Sequence, residues 1–235
     1  MDFDKDPDHI FVKIVGNICF MALIFVAGAC GYGSLALTIS GGHLAAGVSS
    51  LYKQGAGRGA CFQIRCKDSK LCSSKGTKVT LTDLNHNNQT DFVLTSRAFM
   101  AMANKGKGQD VLKLGIVDVE YKRIHCEYKN RNLAIRVEES SQKPYYLAIK
   151  LLYQGGQTEI VAIDVAQVGS SNWSFMTRNY GAVWDSSRIP NADWKIGVIY
   201  DSGVQITDIA QEGCSPCGIG DEQDQEQSIF IGAKL

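Results

Sequence analysis

Three cysteines, Cys61, Cys66 and Cys72, lie close together in the sequence, and their spacing limits the chemistry open to them. Zinc sites usually use paired C-x₂-C knuckles, and neither interval in this group has that length. The one such spacing, Cys214 to Cys217, lacks the βαβ context of a thioredoxin-like redox centre. Disulfide formation in a secreted protein is the use that the pattern favours, and no metal or other cofactor is predicted.

An apolar run over residues 18–29 bears on whether the protein is secreted. The run is short for a membrane span, suits a signal-peptide core, and ends in the small-x-small pattern of a cleavage site. Its flank is unusual, since four aspartates outweigh two lysines where a signal is normally positive. A buried core segment is the alternative. We expect residues 1–29 to be a signal-like segment, and membrane contact only if it stays uncleaved.

Composition points to an all-β chain without a nucleic-acid partner. Lysine plus arginine number 24, as do aspartate plus glutamate, so no excess of positive charge favours nucleic acid. The sequence combines 24 glycines and four prolines with short Val/Ile/Thr runs. Alternation predicts strands over residues 79–83, 116–121, 133–137, 147–151 and 161–165.

One helix is predicted, and one domain boundary. Thr95 can cap the helix, Phe99 and Met102 line one side of it, and Gly106 can end it. The polar residues 130–132 break two strand-like runs and are a plausible boundary.

Several motifs occur in a fixed order: "GACGYGS" (28–34), "YKQGAGRGACFQIRC" (52–66), "VTLTDLN" (79–85), "LGIVDVEYKRIHCEY" (114–128), "YLAIKLLYQGG" (146–156) and "NYGAVWD" (179–185). Together they resemble the plant expansin family, specifically its expansin-like A subgroup. The resemblance implies a double-psi β-barrel over residues 30–129 and an Ig-like, carbohydrate-binding β-sandwich over 133–217. Composition predicts a disordered tail over residues 218–235.

The same resemblance implies a function and a compartment. Members are secreted to the cell wall and loosen it without measurable hydrolysis. The expected partner is therefore cell-wall polysaccharide, such as cellulose, xyloglucan or related glucans, and we expect a monomer. Matched by position, the family pattern pairs Cys61 with Cys126 and Cys66 with Cys72. It also pairs Cys30 with position 58, where this chain has Arg58.

The resemblance also bears on catalysis. Inverting glycosidases need two carboxylates with room for a water between them. The family match places Val93 of Asp91-Phe92-Val93 where related hydrolases keep the acid, and a valine cannot donate a proton. Asp83 matches a groove aspartate that could bind sugar hydroxyls, although capping a turn is an equal alternative. Asp91 could approach the place of the lost acid.

Aromatic residues of the second domain are candidates for stacking on flat sugar faces. Strand parity sets Tyr146 opposite the aliphatic residues that follow it, and the resemblance places Tyr146 and Tyr180 at platform positions. Trp184 is a second choice, and parity predicts burial for Tyr145. Asn88 and Asn172 begin glycosylation sequons, which matter only if the chain is secreted.

Two departures from the family pattern leave alternatives open. The motif at residue 28 lacks the strand that usually precedes it, and "SSRIP" (186–190) runs directly into "NADWKIG", where about two strands are expected. An incomplete sandwich is therefore predicted. The leading interpretation is a secreted, non-catalytic wall protein. The alternatives are a glycan hydrolase of the related barrel class and an inactive truncated isoform.

Overall fold

A computed structural model describes residues 11–15, 30, 32, 35–86, 90–128, 133–190, 193–203 and 205–210. The chain separates into two units, Met1–Glu127 and Tyr128–Leu235. None of the helices in these described ranges is long and apolar enough to cross a membrane.

Six strands form a closed barrel in the first unit. They are β1 (Phe11–Val15), β2 (Leu44–Gly47), β3 (Cys61–Cys66), β4 (Thr77–Leu84), β5 (Phe92–Leu94) and β6 (Ile116–Ile124). Their order around the barrel is β1-β5-β2-β4-β3-β6. The pairs β1–β5 and β2–β4 are parallel, and the others are antiparallel. The predicted β-barrel class is confirmed.

The first strand differs from expectation. Residues 11–15 were assigned to a segment ahead of the barrel, which was expected to begin at residue 30. In the structure Ile14 pairs with Phe92 of β5 and with Val117 of β6. The strand therefore closes two edges that would otherwise present unpaired backbone groups. The apolar run over residues 18–29 lies outside the described residues.

Four short helices accompany the barrel in the part of the chain that the structure describes: α1 (Leu35–Ile39), α2 (Ser49–Tyr52), α3 (Ser96–Ala101) and α4 (Gly108–Leu114). A 3₁₀ turn, Lys53–Gly55, follows α2. The predicted cap of α3 is present, since Thr95 Oγ1 accepts a hydrogen bond from the Ala98 N–H at 3.4 Å. The helix ends at Ala101 rather than Gly106, because Gly106 lies with a φ of 82° in the turn before α4.

Aromatic rings fill part of the barrel core. Phe92 packs edge-on against Phe62 and Tyr121, with ring centroids 5.4 and 4.9 Å away. Phe99 of α3 and Val111 of α4 join the same apolar cluster. The two helices thus pack their apolar sides on the barrel.

Eight strands form the second unit, which the structure describes as two sheets of four. They are β7 (Ala134–Val137), β8 (Leu147–Leu152), β9 (Ile160–Gln167), β10 (Trp173–Phe175), β11 (Thr177–Arg178), β12 (Val183–Ser186), β13 (Trp194–Tyr200) and β14 (Gln205–Ala210). The sheet orders are β10-β9-β13-β14 and β11-β12-β8-β7. Ile149, Ile163 and Trp194 belong to one core cluster. The predicted β-sandwich is confirmed.

The sandwich is fuller than the sequence indicated. A loss of about two strands was expected after Pro190, yet β13 pairs directly with β9 along its whole length. The predicted alternation of side chains along the strand also fails at Val161. A register irregularity near Ile160 leaves Val161 about half exposed, while Ile163 and Val165 are buried. Eight strands are enough for two complete sandwich layers.

Candidate functional site

Two disulfides cross-link the barrel, with the pairing that the resemblance implies. Cys61 is bonded to Cys126, and Cys66 to Cys72, with Cα–Cα distances of 5.2 and 5.7 Å. The first bond joins residues 65 positions apart and ties the start of β3 to the chain just after β6. The second closes a six-residue loop at the other end of β3.

Arg58, at the position where the family places a cysteine, is buried beside Tyr52. Its Nε donates a hydrogen bond to the Tyr52 hydroxyl at 3.1 Å, and its guanidinium lies 5.3 Å from the ring centroid. The Tyr52 hydroxyl also bonds with the Cys30 side chain. A Cβ on Gly55 would clash with the guanidinium, so the turn there requires glycine. A polar cluster thus replaces a third cross-link.

The barrel residues singled out for sugar chemistry lie on or beside β4 and β5. Val93 is half-buried and pairs with Ala46 of β2. Burial and, secondarily, the charge of Asp91 raise the pKa of Tyr121, so Asp91 lies within electrostatic reach of that phenol. Asp83 is buried, and its Oδ1 accepts a hydrogen bond from the Leu84 N–H at 2.8 Å. This bond fits a local turn role without deciding between the two roles of Asp83.

No group of three or more metal-binding side chains occurs among the described residues.

In the sandwich, one carboxylate organises the predicted tyrosines. The Tyr146 hydroxyl donates to Asp185 Oδ2 at 2.7 Å, and the Asn179 amide donates to the same oxygen at 2.5 Å. The hydrogen bond to Asp185 and burial together raise the pKa of Tyr146. Tyr180, next to Asn179, is exposed. The structure therefore fixes the Tyr146 ring by its hydroxyl and leaves the Tyr180 ring open to solvent.

Two expectations for neighbouring aromatics were wrong. Trp184 is only 5% exposed, and its ring is covered by the Arg178 guanidinium 4.2 Å from the ring centroid. It belongs to the core and cannot offer a face to a polysaccharide. Tyr145 is 75% exposed rather than buried, because it lies in a turn before β8 begins, where strand alternation does not apply.

A cavity of about 460 Å³ adjoins Tyr146. It is lined by Tyr146, Trp173, Ser174, Phe175, Thr177, Asp185, Ser186, Ser187 and Arg188. Of these residues, the sequence had singled out only Tyr146 for a binding role. The alternation of Trp173 and Phe175 was the available signal, since residues two apart in a strand share one face.

Of the two predicted glycosylation sites, the structure describes one. Asn88 lies outside the described residues. Asn172 is exposed immediately before β10, and its backbone N–H donates to Ser170 Oγ at 3.0 Å. A glycan on Asn172 would therefore begin beside Trp173.

Family models match both units. The model described as "Expansin C-terminal domain" matches residues 133–209, and the double-psi β-barrel model described as "Lytic transglycolase" matches residues 44–121. The chain is 56% identical to Expansin-like A1 of Arabidopsis thaliana, covering 81% of this chain and 83% of that protein. It is 45% identical to Expansin-like A3 of Oryza sativa subsp. japonica, covering 76% and 74%.

Solved structures agree in fold. The apo expansin of Clavibacter michiganensis has a TM-score of 0.65 at 17% identity, covering 85% of this chain and 90% of that one. A variant of the same expansin in complex with cellohexaose has a TM-score of 0.60 at 17% identity, covering 85% and 91%.

The alignment also shows an internal difference in length. The match to the Arabidopsis Expansin-like A1 runs over 219 positions but includes 81% of this chain's 235 residues, or about 190. That relative therefore has roughly thirty residues, within the aligned region, for which this chain has no counterpart.

Proposed function

The chain belongs to the expansin family, in its expansin-like A subgroup, and on that premise we propose that it binds plant cell-wall polysaccharide after secretion. In the wall it takes part in non-hydrolytic loosening or organisation. Secretion is supported by the two disulfides, which form and persist in oxidising compartments.

The observation that carries the proposal is the ring of Tyr146, held by Asp185, together with the exposed ring of Tyr180. Exposed rings stack on the apolar faces of sugars, and a ring that is already held in one orientation loses less entropy on binding. Tyr146 is held through its hydroxyl by Asp185, and Tyr180 is 56% exposed. Cellohexaose in the bacterial expansin complex makes a β-glucan the first ligand to test.

The barrel supports binding without hydrolysis. A valine occupies the position that the family match assigns to the acid, and Asp83 is buried against the backbone of β4. General acid catalysis requires a proton donor within hydrogen-bond reach of the leaving oxygen, and Val93 cannot supply one. We therefore expect no reducing sugar to be released from cellulose, xyloglucan or mixed-linkage glucan.

The test is retention on insoluble cellulose, comparing the wild-type chain with Tyr146→Ala/Tyr180→Ala. Each lost ring removes on the order of a kcal/mol of stacking, so the double variant should bind about ten- to a hundredfold more weakly. Asn179 and Asp185 remain in both proteins. Cooperative unfolding of each protein is the folding control.

Equal binding by the two folded proteins would disprove the tyrosine assignment. A folded wild type that is not retained at all would disprove glucan binding. Clear release of reducing sugar that disappears in Asp83→Asn would instead favour the glycan hydrolase.

A further inference from the structure

Strand β10 carries two aromatic side chains on the outer face of its sheet. Trp173 pairs with Ala166 of β9, and Phe175 pairs with Asp164. Because Val165 points into the core between those partners, Ala166 and Asp164 face outward, and so do the aromatics opposite them. Phe175 is 81% exposed, the largest fraction among the apolar side chains that the structure describes.

Asp164, which pairs with Phe175, lies beneath this surface as a buried acidic side chain. The residue is 93% buried, at 7% exposure, and its Oδ1 has no hydrogen-bond partner in the described part of the chain. On the other side of Asp164, strand β13 contributes the pairing partner Gly197, which has no side chain. The Oδ1 oxygen is also shielded from solvent, so Asp164 lies beneath the aromatic surface and is not itself a contact for a ligand.

The β10 surface is continuous with the tyrosine site. Trp173, Ser174 and Phe175 line the cavity whose other wall includes Tyr146 and Asp185. Its volume of about 460 Å³ falls within the usual range of small-ligand sites. The two walls come from different sheets, β10 from one and β12 from the other. A chain lying on Tyr146 would reach β10 through this cavity.

We propose that the polysaccharide surface extends past Tyr146, through the cavity, to Phe175 and Trp173 on β10. The proposal rests on the proposed function and deepens it by naming additional contact residues for a neutral glucan chain. A neutral chain fits because the cavity lining carries one carboxylate, Asp185, and one guanidinium, Arg188, whose charges offset each other.

Ligand length provides the test. Binding of cellotriose and cellohexaose is measured by titration calorimetry, with Asn172→Gln present in every protein so that no glycan covers β10. Phe175→Ala should weaken cellohexaose binding about fivefold and leave cellotriose binding unchanged, since only the longer chain spans both walls. Phe175→Tyr retains a ring and should retain cellohexaose affinity.

Val168→Ala is the matched control, because Val168 is an exposed apolar residue of the same unit that does not line the cavity. An equal loss in Val168→Ala, or no loss in Phe175→Ala while the parent binds, would overturn the β10 extension and leave the tyrosine site intact. A folded parent that binds neither oligosaccharide would overturn the proposed function together with the extension.

Discussion

Two side chains of the barrel, Arg58 and Val93, differ in chemistry from the residues that the family resemblance places at their positions. The family resemblance places a cysteine at position 58 and an acid at position 93, where this chain has Arg58, which bonds to Tyr52, and Val93 on β5. Neither change leaves a void, since Arg58 is buried against a ring and Val93 pairs within the barrel. The barrel thus keeps its packing while it lacks the groups for cross-linking and proton transfer at those two positions.

Asp164 gives a prediction for the dependence of stability on pH. Burial raises the pKa of this carboxyl above its ordinary value of 3.8. The folded state therefore holds the proton more tightly than the unfolded state, and the stability that this contributes is present at low pH and lost as pH rises through the folded pKa. Asp164→Asn cannot ionise, so its free energy of unfolding should rise relative to wild type between about pH 4 and neutral pH.

Urea denaturation of both proteins across that range measures the effect. Asp193→Asn is the matched control, because Asp193 is exposed at the start of β13. A difference between wild type and Asp164→Asn that stays constant with pH would contradict the burial argument.

At the scale of strands and loops, the disulfides differ in the length of chain that they close. Cross-linking lowers the entropy of the unfolded chain more for longer loops, so the bond spanning 65 positions contributes about 4 kcal/mol and the one spanning six about 2 kcal/mol. Cys61→Ala/Cys126→Ala should therefore destabilise the barrel more than Cys66→Ala/Cys72→Ala. Urea unfolding of the two variants under oxidising conditions compares them directly.

The opposite ranking, or equal losses, would show that strain or residual unfolded structure outweighs loop entropy. Non-reducing peptide mapping should first find both bonds in the secreted wild type.

The elements that the sequence predicted best are those with an unbroken pattern. The strand Ile116–Ile124 and the cap at Thr95 follow from alternation and from a side chain that can accept a backbone hydrogen bond. Tyr145 and Val161 were missed because alternation holds only inside a regular strand, and a turn or a register irregularity interrupts it. The cavity was missed because residues of two sheets form it, and their proximity is a property of tertiary packing.

For the whole molecule, the question is whether a chain shorter than its relatives completes both cores. Two separate apolar clusters are present, one in the barrel and one in the sandwich. The family resemblance gave both folds, but it could not show that Phe11–Val15 pairs with β5 and β6 or that β13 lies beside β9. Both depend on pairing between distant residues, which local sequence does not determine.

We therefore expect the full chain, expressed in a secretory host, to be soluble and to unfold cooperatively. The physical reason is that the eight strands described in the sandwich are all paired, and that the barrel closes through β1 when residues 11–15 are retained in the secreted chain. Circular dichroism during urea titration measures the transition. Recovery of aggregates alone, under conditions that give soluble Expansin-like A1, would favour the inactive truncated isoform.

The position of Cys126 has a mechanical consequence. The second unit begins at Tyr128, so tension on it, such as a wall polymer bound under the proposed function would apply, enters the barrel near Cys126. There the load divides between β6 and the sulfur bridge to Cys61. The bridge is covalent and carries force directly between Cys126 and Cys61. The chain between the two cysteines therefore cannot be extended by that force. The stretch from Cys61 to Cys126 would therefore resist extension under load, whereas β1 and β2 precede Cys61 and lie outside the bridged loop.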